Sequence, residues 1–297
     1  MKKLLFALIY VAASSIYAVD AFFTFENDAL SGSGDNDYTH GTGLELVFDR
    51  GYHFKLGQNI YAPSDLTRKD HIVGDRPYCG MLYGGLGYEF FQDPESMWTH
   101  YAELDVGVIG PAARCKETQT IVHKLLNCRN PEGWDNQLHN EVVANAQWWT
   151  KYNWYLCDYA ALVPRVGALA GTVQDALEVG CDLKVGWNIR NNKDVGNSIM
   201  FSAPTARKWY DDLTAYAFIG AGERYYLYNH ILEGSLFNHK DDDLKVDIEP
   251  FVTEIRFGGV IQFKRFYATY YMVKRTDEFK GQKHAPDFGG VTIGWTF

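Results

Sequence analysis

Glu26-Asn27-Asp28 ends one apolar stretch of the chain, and Tyr38-Thr39-His40 opens the next across a loop rich in Gly and Asp. Together they place carboxylates, an amide and a hydroxyl at one rim of whatever sheet these strands build. Oxygen donors in this combination bind hard cations and orient a water molecule or a carbonyl, so the chemistry they point to is metal-assisted hydrolysis. The competing reading is a polar hairpin loop, because Asn, Asp and Gly are ordinary turn formers. A further group, His123, lies in residues 113–127, the one convincing helix of the mature chain. Its apolar residues Ile121, Val122, Leu125 and Leu126 are expected to lie against the rim. His123 then sits on the flank, where an imidazole suits a general base near neutral pH.

Strands must position these groups. After Met1-Lys2-Lys3 and an apolar run from Leu4 to Tyr17, Ala18 is a cleavage point, so residues 1–18 read as a secretory signal peptide and 19–297 as the mature domain. The remainder has no apolar run of roughly 18 residues, which leaves no transmembrane helix. Its extended segments instead alternate: Leu177, Val179, Leu183 and Val185 against Glu178, Asp182 and Lys184, and Phe251, Ile255, Phe257 and Ile261 against Glu254, Arg256 and Gln262. A transmembrane barrel turns such apolar faces to lipid and the charges to its lumen. The last segment, with Val291, Ile293, Trp295 and the terminal Phe297 on one face, resembles the assembly signal of bacterial outer-membrane proteins.

Alternating segments fall at 21–27, 40–49, 52–60, 81–91, 98–109, 139–152, 157–170, 176–188, 213–230, 248–262, 264–275 and 288–297. Twelve is even, as single-chain bacterial barrels require, so the expected fold is all-β: a 12-stranded antiparallel transmembrane barrel with one short helix in an extracellular loop. Residues 213–230 are taken as one bent strand despite Gly220 and Gly222, since thirteen strands would leave the termini on opposite sides. The Asn27-Asp28 rim, the Thr39 strand start and the His123 helix then all lie on the outer side. The inward turns are short except for an unusually long connection, 189–212.

A net charge of −9 argues against a nucleic-acid partner and suits an acidic, wet barrel interior. Five cysteines are an odd number. Cys115 and Cys128 bracket the loop helix and are candidates for a disulfide, because the route is oxidising. Cys181 reads as a small lipid-facing hydrophobe.

In order and spacing, Glu26-Asn27-Asp28, Tyr38-Thr39, Gly74-Asp75-Arg76, Gly107-Val108-Ile109-Gly110-Pro111, Gln119 with His123, and Gly133-Trp134-Asp135-Asn136-Gln137 resemble the outer-membrane lipid A 3′-O-deacylase family across the whole mature chain. The resemblance implies a monomeric, Ca2+-dependent esterase of the bacterial outer membrane that removes the 3′-linked acyloxyacyl group from the lipid A of lipopolysaccharide. It implies that His123 is the catalytic histidine, that Asn27, Asp28 and Thr39 match the family's Asn-Asp pair and threonine, and that the supporting lysine falls at Arg68 or Lys69. Asp28 and Asn27, with Glu132, would hold the metal. Here the chain departs from the pattern, since the family glutamate aligns with Arg129 and Glu132 is the nearest carboxylate. Arg68, Arg76 and Lys124, with Lys69, Lys116 and Arg129, are outer-loop cations suited to the phosphates of lipid A.

Three other readings compete. A non-catalytic barrel would conduct solutes or bind a partner without the Asn27, Asp28, Thr39 and His123 cluster. A phospholipase-type esterase would need a serine nucleophile, yet no Gly-x-Ser-x-Gly elbow occurs, and Ser31 and Ser33 have no evident base. A soluble secreted sandwich would be extracted without detergent.

Overall fold

Alternation of side chains along extended segments lets this chain close on itself around a charged interior. The computed structural model describes residues 19–32, 37–48, 50–90, 96–192, 212–284 and 286–297. The signal-peptide segment 1–18, Ser33 and most of the 189–212 connection lie outside the described residues. Twelve strands form the wall: β1 (Val19–Asn27), β2 (Asp37–Phe48), β3 (Tyr52–Ala62), β4 (Cys79–Phe90), β5 (Trp98–Ile109), β6 (Glu141–Tyr152), β8 (Ala160–Gly171), β9 (Gln174–Trp187), β10 (Thr214–Asn229), β11 (Phe251–Phe263), β12 (Phe266–Arg275) and β13 (Phe288–Thr296). Neighbours pair antiparallel, β1 joins β13, and β6 joins β8, so no wall strand is left with an open edge. The short β7 (Trp154–Cys157) stands outside the ring, paired with β8.

The twelve expected strands are thus the twelve staves, with boundaries shifted by a few residues. Residues 213–230 do form one strand, which absorbs its bend in a bulge between Tyr226 and Tyr228. The expected inversion of polarity is equally plain. Leu44, Leu56, Leu82, Leu104, Val179, Ile255 and Ile293 face outward and are exposed, whereas Lys55, Glu103, Arg165, Glu178, Asp182, Arg224 and Arg256 are buried. In the lumen Arg165 donates to Glu178 (3.1 Å) and Asp182 (2.9 Å), Arg256 donates to Asp182 (2.7 Å), and Lys55 pairs with Glu103.

The outer mouth is covered. The outer loop between β10 and β11, which begins with the single-turn helix His230–Glu233, crosses to the start of β6: Ser235 Oγ donates to Glu141 (2.9 Å), and Asp241 accepts from the His139 backbone N–H (3.1 Å). Beneath it a cavity of about 40 Å3, lined by Asn59, Tyr83, Gln147 and Ile231 among others, has room for a few water molecules. At the inner end Asn192 is buried, donating to Gln262 (2.8 Å) and accepting from the Tyr216 hydroxyl (3.0 Å) and from Lys184. This tethering gives the start of the long inner connection a structural task.

Candidate functional site

Strand register sets the site level. Asn27 pairs with His40, His40 with Ile60, and Ile60 with Gly80, so one row of residues runs across β1 to β4 near their outer ends. By alternation from exposed Phe23, Leu44, Leu56 and Leu82, this row faces outward, away from the lumen. Yet His40 is 6% and Ile60 0% exposed. Outward-facing residues are buried in this way only when something covers the wall.

The cover is the loop between β5 and β6. Its helix, α1 (Cys115–Leu126), is preceded by a 3-10 turn, Pro111–Ala113, that follows Gly110. Gln58 Nε2 donates to the Ala113 carbonyl (2.8 Å), and the Cys115 thiol donates to the Asn59 carbonyl (3.5 Å). Gly80 is what lets the helix sit so close, because a Cβ there would lie 2.5 Å from the Cys115 Cβ. Ile60, Ala62, Tyr78, Ala113, Cys115 and Trp134 form the core under the helix. Burial pushes the Cys115 thiol up to about 12.

Along α1 the buried face is Cys115, Gln119 and His123, at i, i+4 and i+8. Gln119 Oε1 accepts from the indole N–H of buried Trp134 (2.8 Å). Asn127 ends the helix at a left-handed φ of 56°, which Asn tolerates, and the chain turns back so that the Arg129 carbonyl meets His123 Nδ1 at 2.5 Å. A carbonyl only accepts, so Nδ1 carries the proton, and Nε2 is the basic nitrogen of the neutral ring. The partner is the backbone of residue 129, so this orientation does not depend on the arginine side chain.

The other half of the site is the turn after β1. Asn27 caps the 3-10 turn Asp28–Ser31, accepting from the Ala29 N–H (3.0 Å), while its Nδ2 donates to the Thr39 carbonyl (2.7 Å). Asp28, 2% exposed, accepts from the Ala29 N–H (2.8 Å) and from the Thr39 hydroxyl (2.7 Å). The expected Asn27, Asp28 and Thr39 cluster is therefore physically assembled, and the residues of the polar hairpin loop hold one another. Behind it, on the lumen side, Glu26 accepts from the Tyr38 hydroxyl and from that of Tyr271 (2.5 Å). Ser31 Oγ donates to the Asp28 (2.7 Å) and Asp287 (3.1 Å) carbonyls.

Four expectations change. Ile121 and Leu125 of the expected apolar stripe do not lie on the rim, being 58% and 79% exposed, whereas Val122 is half-buried and the Leu126 side chain lies outside the described residues; the polar Gln119 and His123 have bonding partners and the aliphatic side chains need none. Cys115 and Cys128 are not bridged. The helix between them is about 17 Å long, far beyond the roughly 7 Å that a disulfide tolerates between Cα atoms. Arg76, expected at a lipid phosphate, is buried between Asp37 (3.1 Å) and Glu278 (2.5 Å), a brace between the start of β2 and the loop before β13. Glu132 faces Lys69 at 3.7 Å, both in solvent, so carboxylate and lysine stand as an exposed pair. Arg68 and Lys124 are exposed, whereas Lys116 donates to Asp135 (2.8 Å), a bond that holds the Asp135 carboxyl below its ordinary range. Two features escaped sequence reasoning: the Gln119–Trp134 clasp and the covered position of His40. Only the spacing of the buried helical face could have shown the first.

The model of outer membrane protein LpxR matches residues 3–297. The chain belongs to the LpxR family of outer membrane proteins. LpxR from Salmonella typhimurium superposes with a TM-score of 0.81 at 22% identity, over 94% of this chain and 100% of that one. The Bordetella autotransporter BrkA β-domain (TM-score 0.42, 10% identity, 94% and 97% coverage) and the NalP translocator domain of Neisseria meningitidis (0.41, 8%, 100% and 96%) match more loosely. No curated protein matches in sequence. Family and fold place this LpxR-family barrel in the bacterial outer membrane.

The donors at the turn are all oxygen: the Asp28 carboxylate, Asn27 Oδ1 and neighbouring carbonyls. That set fits a hard cation such as calcium. Asp28 and Asn27 are the residues that would hold it. Among the described residues no three His, Cys, Asp or Glu side chains gather as a metal site, and Glu132 is engaged with Lys69.

Proposed function

We propose that this protein is a monomeric, Ca2+-dependent hydrolase that removes the 3′-linked acyloxyacyl group from lipid A in the outer leaflet. The observation that carries this reading is the pairing, on the outward wall of an LpxR-family barrel, of a hydrogen-bonded Asn27, Asp28 and Thr39 cluster with a helix whose His123 is turned toward that wall. Among the described residues the lumen offers no comparable site, since it is filled by ion pairs and covered at its outer mouth, which speaks against a conducting barrel. The Ser31 hydroxyl donates to backbone carbonyls, a poor arrangement for a serine nucleophile.

In this mechanism His123 Nε2 takes a proton from water as the oxygen attacks the ester carbonyl, and the imidazolium returns it to the leaving alkoxide. The Arg129 carbonyl holds the ring in the required tautomer. Asp28, oriented by Thr39, and Asn27 would hold the calcium, which would supply positive charge where the oxyanion develops. Arg68, Lys69, Lys124 and Arg129 are the exposed cations left to meet the phosphates of the substrate.

The test is mass spectrometry of lipid A from cells that express the protein or His123→Ala, with and without a calcium chelator. Loss of the 3′ acyloxyacyl mass only with His123 and calcium is the expected result. Unchanged lipid A around folded, heat-modifiable protein would overturn the reading.

A further inference from the structure

The strand ladder does not by itself hold the turn that carries the oxygen donors. On β2 the pairing with β1 ends at His40, opposite Asn27, and the pairing with β3 passes from Tyr38 with Tyr61 to His40 with Ile60. Thr39 falls in the resulting bulge, and a bulge re-aims a side chain. Its hydroxyl nevertheless meets the buried Asp28 carboxylate at 2.7 Å. Both partners of that bond follow directly on residues that share a tie. Tyr38, just before Thr39, donates its hydroxyl to Glu26, just before Asn27-Asp28.

That tie is built across four strands. Tyr271 on β12 pairs with Gly290 on β13, Gly290 with Glu26 on β1, and Glu26 with Gly41 on β2, so one row crosses the seam where the first and last strands close the barrel. Glu26 therefore has a glycine on either side. A Cβ on Gly41 would collide with the Tyr38 hydroxyl, and one on Gly290 with the Tyr271 ring, so each glycine leaves room for a tyrosine to reach the carboxylate. Each hydroxyl takes its own oxygen, Tyr38 bonding Oε2 and Tyr271 bonding Oε1 at 2.5 Å, and all three side chains are buried. Hydrogen bonds to a carboxylate are short and strong, which makes such a pair a stiff clamp. The rings of Tyr38 and Phe288, 4.8 Å apart, add packing that does not depend on the hydroxyl.

We propose that Glu26 is a positioning residue: clamped on the lumen side by Tyr38 and Tyr271, it fixes the bulged Thr39 against Asp28 and so presets the oxygen donors of the outward site. Glu26 lies on the far side of the wall from that site and acts through Tyr38 and the turn. A supporting shell of this kind holds a constellation to its working geometry. The consequence for calcium rests on the deacylase reading above, whereas the effect on the turn does not.

The test uses the whole protein purified in detergent and compares wild type with Tyr38→Phe, which removes one hydroxyl and keeps the ring, and with Glu26→Ala and Glu26→Gln. Glutamine can accept from one hydroxyl and donate to the other, so it is the conservative rescue. Two quantities are read: calcium affinity by titration calorimetry, and hydrogen exchange of the Ala29 amide, which donates to both Asn27 and Asp28. In Tyr38→Phe and Glu26→Ala, half-saturating calcium should rise about tenfold and Ala29 exchange should quicken about tenfold, the size set by one lost hydrogen bond to a carboxylate. Glu26→Gln should stay within about threefold of wild type in both. A Tyr38→Phe protein that melts earlier yet keeps both wild-type values would overturn the proposal and leave the clamp a structural brace. Wild-type protein that binds no calcium would instead sink the calcium reading, and Ala29 exchange in Tyr38→Phe would still decide the clamp. Heat-modifiable migration of each variant shows that the barrel has folded.

Discussion

Replacing Gly80 with alanine should lift α1 from its seat. The added Cβ would lie 2.5 Å from Cys115 Cβ and 2.6 Å from its sulfur, whereas carbon atoms in contact prefer about 3.5–4.0 Å, a shortfall of at least about 1 Å. Neither partner can swing away, because one atom is fixed to a strand and the other to the first turn of a helix. Overpacking of this kind costs about 1–3 kcal/mol, and about 2 kcal/mol would shift the ratio of seated to lifted helix roughly thirtyfold. Cys115 reports it directly. It is 1% exposed with its thiol pushed up by burial, so alkylation mapped by peptide mass spectrometry should be slow in the wild type and roughly thirtyfold faster in Gly80→Ala. If His123 acts from this helix, deacylation should also fall by up to about a hundredfold, since a displacement of about 1 Å can cost that much. Gly80→Ala combined with Cys115→Gly should restore the seat. A Cys115 as protected in Gly80→Ala as in the wild type, with normal deacylation, would refute the seating of α1 on β4.

Thr39→Val keeps the shape of the side chain but removes a 2.7 Å hydrogen bond to a buried carboxylate, worth about 1.5–3 kcal/mol. The half-maximal calcium concentration for deacylation should rise, and an unchanged value would remove this contact from the site. Arg76→Ala leaves Asp37 and Glu278 facing each other without their shared cation, so unfolding in denaturant should show a loss of about 3–5 kcal/mol while phosphate-dependent substrate affinity stays near normal. Burial raises the Cys115 thiol from its ordinary 9.0 to about 12, so its contribution to docking is complete below pH 9 and is lost as the pH rises toward 12. Hydrogen exchange of the α1 amides should therefore accelerate in that window in the wild type, and less so in Cys115→Ala.

The barrel was legible because a period of two survives in every stave, and an even count follows from where the termini must lie. Leu177 to Val185 and Phe251 to Ile261 show it without any knowledge of pairing. Asn27, Asp28 and Thr39 were also legible, since they flank one hairpin and local geometry brings them together. Arg76 was not, because its two carboxylates come from β2 and from the loop before β13, and such distant partners leave no trace in spacing. The disulfide expectation failed because it ignored the length of the helix between the cysteines.

By itself the sequence determined which residues face lipid and which face the lumen, where the chain crosses the bilayer and which short motifs share a rim, because each of these depends on neighbours within a few positions. Which face of α1 meets the barrel was decided only in three dimensions. There Gly80 opened a seat, Trp134 and the Arg129 carbonyl offered partners to Gln119 and His123, and Ile121 and Leu125 were left pointing outward. Helical periodicity defines the faces of a helix, but the polarity of the surroundings on each side determines which face is buried.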